Sequence, residues 1–347
     1  MVPGLTLHRS SFRFCLCHSR SYHGPSDSTK TQTRSQPMNT TPETSTPQPR
    51  RQWSSKSVGS KLQHEIFYTL IRIGGRPAAY TLLKPVAAWY AIRPDIRRRA
   101  FPYVRHRFPG VSNLQATRHI FHLYHNFGKT LIDRAVAGIL GSGQFQVHFP
   151  QQQLVLELLE QKRGLIIINS HVGCWQLAMS ALPHIPVPVH MLIHREPGDI
   201  DRHYHEHSSG QTPFNIIDPT TATGASLQLV DALKRGEVVN LMGDRIFGSS
   251  KHAVAVPFLG EEAAFPTTAY KLAAATGAPC LILLSAKTGP AAYTLRVPRI
   301  IEVPAGTSLR PRRLRPYLSQ YVETLEAYCK EYPYQFYNFF DLWAPPT

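Results

Sequence analysis

The run Arg163-Gly164-Leu165-Ile166-Ile167-Ile168-Asn169-Ser170-His171-Val172-Gly173-Cys174-Trp175-Gln176 decides the architecture of this chain. Leu165 to Ile168 is an unbroken apolar stretch, short and bounded by Arg-Gly on one side and a polar cluster on the other. That pattern is a buried strand running into a loop at Asn169-Ser170-His171, with a helix expected over 174–182.

The grammar downstream repeats it. Strands are expected over 187–193, 214–217, 238–242 and 280–286, with 293–297 as an edge strand. Helices are expected over 152–161, 225–234 (closed by Gly236), 266–276 and 314–332, the last one amphipathic. Strands alternating with helices predict an α/β fold, a single domain with a mostly parallel, helix-covered sheet.

Upstream the pattern is helical and basic. Between Ile66 and Ile92 the apolar run is broken by Arg72, Arg76 and Lys84, with Gly74, Gly75 and Pro77 in the middle. It reads as two amphipathic helices rather than one membrane span. Phe67, Leu70, Ile71 and Gly74 recur at helical steps, which suits packing on the core. It equally suits lying on a membrane surface with Arg and Lys at the headgroups, and the two readings are compatible. Arg93, Arg97, Arg98, Arg99, Arg105 and Arg107 follow, then a helix over 112–139 ended by Gly138, Gly141 and Gly143. Residues 1–57 are rich in Ser, Thr, Pro, Gln and Arg, a composition that predicts a disordered tail, and Met38 is an alternative start. The expected organisation is a tail over 1–57 and one domain over 58–347. Within it, 58–110 is a membrane-associating helical segment and 111–347 the catalytic core.

The chain has 347 residues, with 38 Lys and Arg against 22 Asp and Glu, a net +16. The first 51 residues hold seven basic and two acidic side chains, so the remainder is itself basic. Such a surplus points to an anionic partner: a membrane face, a phosphorylated substrate or nucleic acid. Nucleic acid ranks last, because no recognisable module or interleaved stacking aromatics are present. The five cysteines, Cys15, Cys17, Cys174, Cys280 and Cys329, are odd in number and scattered, which fits neither a disulfide framework nor a zinc site.

Ligands of parallel sheets bind beyond the carboxyl ends of the strands. Two expected strands end in polar clusters, Asn169-Ser170-His171 and Gly243-Asp244-Arg245. A histidine straight after a buried strand is held rigidly and partly desolvated, as a general base near neutrality requires.

These residues carry a resemblance. The chain is similar to the lysophospholipid acyltransferase superfamily, in the branch resembling the lipid A biosynthesis lauroyl/myristoyl acyltransferases. The matching elements are His171-Val172-Gly173-Cys174-Trp175-Gln176, Gly243-Asp244-Arg245, Val256-Pro257-Phe258-Leu259-Gly260, Pro266 and the upstream Phe127-Gly128-Lys129-Thr130-Leu131-Ile132-Asp133-Arg134. Their collinearity over roughly 60–300 gives the likeness its weight. It implies transfer of a fatty acyl group from an acyl thioester, on acyl carrier protein or coenzyme A, to a hydroxyl or amine of a lipid or glycolipid. No cofactor is implied. It places the enzyme at the cytoplasmic face of the inner membrane, peripheral or weakly inserted, against an anionic lipid surface.

The chain departs from the family at Gln176, where a carboxylate usually orients the histidine. Five residues of helix turn about 140°, so His171 has to precede the helix and fold back. Asp244 is the nearest alternative carboxylate. The expected catalytic set is therefore His171, Gln176 and Asp244. Ser170, Gly173, Arg195, Arg245 and Phe258 are expected to meet substrate, and no metal site is expected. Backbone N–H groups near Val172-Gly173 are candidates for the oxyanion. Arg195 and Arg245 are candidates for a phosphate of the acceptor or of the carrier's arm, or else form surface ion pairs. A catalytically impaired lipid-binding relative is the alternative that Gln176 raises. An apolar tunnel ending at His171 is expected for the acyl chain. His203, His205 and His207 read as a polar segment rather than a ligand set. No Gly-x-Ser-x-Gly is present. The aromatic block Phe336 to Trp343 reads as core closure by the C-terminus.

Overall fold

The computed structural model describes residues 61–174, 185–193, 214–219, 224–246 and 253–344. These fall in one compact unit, Gln48–Thr347. The tail expected over 1–57, all but the first residue of the helix expected over 174–182 and the His203-His205-His207 segment lie outside the described residues.

The chain opens with three helices, α1 (Lys61–Ile92), α2 (Pro94–Arg107) and α3 (Asn113–Leu140). The α/β part follows as β1 (Gln146–His148), α4 (Gln152–Glu160), β2 (Leu165–Asn169), β3 (Val189–Leu192), β4 (Asn215–Ile217), α5 (Ala225–Lys234) and β5 (Val238–Met242). It closes with β6 (Ala253–Phe258), β7 (Glu261–Pro266), α6 (Thr268–Thr276), β8 (Cys280–Lys287), β9 (Ala292–Ile301) and α7 (Pro311–Glu331).

Seven strands form one sheet in the order β1-β9-β8-β2-β5-β3-β4. Every neighbouring pair is parallel except β8 with β9. All five residues of β2 are buried, as a central strand covered on both faces requires. Its side chains alternate between two apolar clusters. Ile166 and Ile168 join Val239, Leu241, Ile282 and Leu284 under α5, α6 and α7. Leu165 and Ile167 join Val238, Leu281 and Leu295 over Val155, Leu158 and Leu159 of α4.

Two expectations need correction. The strand expected at the edge over 293–297 is interior, because Gln146–His148 pairs with Ala292–Thr294 outside it. Three alternating polar and apolar residues are too short a signal to announce that partner. Pro266, expected to open a helix, instead ends β7, which pairs antiparallel with β6. The two turn together through Leu259 (φ 51) and Gly260 (φ 89), the positive-φ pair that suits a two-residue hairpin.

The break expected in the first helix is real: Gly75 sits at φ 62 and divides α1 in two. Tyr68, Ile71, Ala79, Leu83, Ala87 and Ala91 are buried, so the segment packs on the core. Leu62, Ile66, Ile73, Trp89 and Ile92 on the same helix stay exposed. No helix among the described residues is long and apolar enough to cross a membrane. Ser112 caps α3 reciprocally: its Oγ accepts the Gln115 N–H at 3.3 Å while its own N–H donates to Gln115 Oε1 at 2.8 Å. The aromatic block closes the core, with Phe336, Tyr337, Phe340 and Leu342 buried.

Candidate active site

The register of the two central strands builds the site. Asn169 of β2 lies beside Met242 of β5. His171 and Asp244 therefore stand equally far past the ends of adjacent parallel strands. The Gly243 N–H donates to the Asn169 carbonyl at 2.8 Å, carrying the pairing beyond the strands. Deeper in, Asn169 Nδ2 donates to Asn240 Oδ1 at 2.7 Å.

His171 Nδ1 lies 2.9 and 3.0 Å from the two Asp244 carboxylate oxygens. The His171 backbone N–H donates to Asp244 Oδ2 at 3.0 Å. Asp244 is 2 % exposed and the His171 side chain 26 %. An ionised Asp244 can only accept, so Nδ1 carries the proton and Nε2 presents its lone pair. Nε2 makes no hydrogen bond among the described residues. Burial alone would raise the Asp244 pKa. The His171 ring beside it, the hydrogen bonds from that residue and the Arg245 charge prevail and hold it below the usual carboxylate value.

The loop is clamped from the far end of the chain. Ser170 Oγ and Tyr321 OH of α7 are 2.7 Å apart. The Tyr337 N–H donates to the His171 carbonyl at 2.8 Å, and Val172 bridges to Phe336. Arg245 Nη2 donates to the Tyr337 carbonyl at 3.2 Å. Gly173 adopts φ 52, and a Cβ there would overlap the Ser285 carbonyl. Only glycine satisfies both demands.

His171, Asp244, Ser170, Gly173 and Arg245 are thus gathered in one place. Ser170 and Gly173 are buried. Phe258 is also buried, ringed by Phe265, Phe336 and Trp343. The backbone donors expected for an oxyanion are committed elsewhere. The Val172 N–H donates to the Ser170 carbonyl and the Gly173 N–H to that of Gln335. Buried backbone donors have to be paired, and here one is met within the loop and the other by the C-terminal segment. Gln176 and Arg195 lie outside the described residues. So do residues 175–184, 194–213 and 247–252, which follow in the chain after β2, β3 and β5.

A second polar group was not singled out from sequence. Asp133 of α3 is fully buried and accepts from Tyr80 OH at 2.6 Å, Lys287 Nζ at 2.5 Å and Tyr293 OH at 2.5 Å. It ties α1 and α3 to β8 and β9. A carboxylate at a core-facing position of an amphipathic helix was its only signal. Tyr337 and Asn338 were hidden in the aromatic block, where Asn338 is the polar exception within Phe336 to Phe340.

A histidine–carboxylate pair thus stands past the ends of the central strands of a helix-covered parallel sheet, the place where α/β enzymes bind their ligands. The family model described as bacterial lipid A biosynthesis acyltransferase matches residues 62–298, well over half of the chain. The chain belongs to that family and is an acyltransferase. No curated protein sequence matches the chain.

Proposed function

We propose that the chain moves a fatty acyl group from an acyl thioester, carried on acyl carrier protein or coenzyme A, to a hydroxyl or amine of a lipid or glycolipid acceptor. The observation that carries this reading is the His171–Asp244 pair, with Nδ1 tied to the carboxylate at 2.9 Å and Nε2 without a hydrogen bond among the described residues. His171 Nε2 takes the acceptor proton as the acceptor oxygen attacks the thioester carbonyl. The carbonyl π pair moves to oxygen. The tetrahedral adduct collapses, the C–S bond breaks, and the proton on Nε2 passes to the departing thiolate. Asp244 holds the ring in its working tautomer and faces the imidazolium that forms.

Gln176 stands where the family's motif has a carboxylate, which raised the alternative of an impaired lipid-binding relative. A buried carboxylate already on the imidazole favours the active reading. Arg245, beside Asp244, is proposed to meet a phosphate on the acceptor or on the carrier's arm. Arg195 is proposed for the same role. The surplus of basic charge and the exposed apolar residues of α1 support attachment to an anionic membrane surface at its cytoplasmic face.

The deciding assay is acyl transfer by the purified full chain from palmitoyl-coenzyme A and palmitoyl-acyl carrier protein into bacterial lipid extract, followed by lipid mass spectrometry. Turnover abolished in His171→Ala is expected. Turnover that survives the substitution removes the base. Lipid binding without turnover in the wild type identifies the impaired relative.

A further inference from the structure

We infer that Asn338 is a catalytic residue that binds the thioester carbonyl of the acyl donor and stabilises the oxyanion formed there. The inference rests on the acyl-transfer reading above. Asn338 is 2 % exposed. Neither its Nδ2 nor its Oδ1 has a hydrogen-bond partner among the described residues. Buried amides are almost always paired, and one left wholly unpaired costs free energy. Leucine would fill that volume without the cost.

Asn338 stands beside the catalytic pair. Its neighbour Tyr337 donates its N–H to the His171 carbonyl at 2.8 Å and accepts Arg245 Nη2 at 3.2 Å on its own carbonyl. Side chains alternate along this segment. Tyr337 and Phe339 turn to α3, meeting Phe127. Phe336 meets Phe258, and Phe340 lies under the Arg245 guanidinium at 5.9 Å. Asn338 stands between Phe336 and Phe340 in the chain, and the alternation puts it in step with those two rather than with Tyr337 and Phe339.

The chemistry fits the need. When the acceptor attacks, negative charge collects on the carbonyl oxygen, and a fixed N–H donor has to meet it. The nearest loop N–H groups, those of Val172 and Gly173, are already bonded to backbone carbonyls. Asn338 Nδ2 offers two donors on a buried side chain. Its Oδ1 adds an acceptor. An acyl thioester on a pantetheine arm presents carbonyl oxygens and amide N–H groups close together, so it complements both ends of the side chain.

The test compares wild type, Asn338→Leu, Asn338→Asp and His171→Ala as full chains. Thermal melting and transfer from palmitoyl-coenzyme A are measured on each. Binding is measured with S-(2-oxoheptadecyl)-coenzyme A, which keeps a carbonyl, and S-heptadecyl-coenzyme A, which lacks one. Asn338→Leu is expected to melt at or above the wild-type temperature while kcat falls about 10²–10³-fold and the preference for the ketone analogue disappears. Asn338→Asp, matched in shape, is expected to be equally slow. An unchanged kcat in Asn338→Leu, an unchanged ketone preference, or a wild type with no such preference overturns the assignment. So does a lowered melting temperature with kcat intact. His171→Ala separates the two readings. If it keeps turning over, the base is wrong; if it is silent while Asn338→Leu is active, only the Asn338 role falls.

Discussion

The Asp244 carboxylate holds His171 twice, through ring Nδ1 at 2.9 Å and through the backbone N–H at 3.0 Å. One buried group thus sets both the tautomer of the imidazole and the path of the loop that bears it. It reaches His171 from the end of the neighbouring strand.

Removing the charge while keeping the shape isolates the first of these roles. Asp244→Asn is expected to lower kcat by about 10²–10⁴, because an amide turned to keep the backbone bond presents no full charge to the imidazolium. Gln176→Ala is expected to change kcat far less. Steady-state kinetics of both variants check this, and a larger loss at Gln176 moves the orienting role there.

The same carboxylate makes stability depend on acid. Its folded pKa is depressed below the ordinary value. Its contribution is therefore full above the unfolded carboxylate pKa and is lost as pH falls through the lower, folded value. Urea unfolding from pH 7 downward is expected to show wild type losing more stability than Asp244→Asn over that window. Parallel curves contradict the coupling.

The Asp133–Lys287 pair is nearly closed to solvent, with side-chain exposures of 0 % and 10 %. Burial pulls the Lys287 pKa down even against the attraction of Asp133. Breaking a buried pair leaves one charge alone, so Asp133→Asn and Lys287→Met are each expected to cost about 3–5 kcal/mol. The double variant is expected to lose less than the sum, read by equilibrium unfolding as a double-mutant cycle. Additive losses rule the coupling out.

Gly173→Ala places a methyl group against the Ser285 carbonyl at a φ of 52. The expected cost is about 1–3 kcal/mol, together with slower turnover because His171 lies two residues away. A variant as stable and active as wild type contradicts the close approach.

Ile73 is 83 % exposed and Trp89 55 % on the helix proposed to meet lipid. Ile73→Glu with Trp89→Glu is expected to weaken sedimentation with anionic vesicles and leave the melting temperature unchanged. Wild-type binding is expected to fall as salt rises. Equal binding to neutral vesicles, or none to anionic ones, contradicts this surface.

The elements with continuous or strongly periodic apolar patterns were legible. The helix over 225–234 and the strand over 238–242 stand where the sequence places them. The β6–β7 hairpin was not, because Pro257, Glu261 and Glu262 interrupt its alternation. That His171 and Asp244 share a site was readable in part, since each follows a buried strand. That the strands are neighbours in register is a property of pairing, which no local pattern encodes. Asp133 and Asn338 escaped for the opposite reason. A polar residue in an apolar setting shows its role only when its partners, or its lack of them, are seen.

The clamp from Tyr321 and Tyr337 onto Ser170 and His171 has a bearing on biosynthesis. Strands β2 and β5 leave the ribosome long before α7 and the aromatic tail do. Until those last residues emerge, the histidine loop is braced from β5 by Asp244 but not from its far side. A polypeptide cut short before Tyr321 therefore carries its histidine on a loop held from one side only.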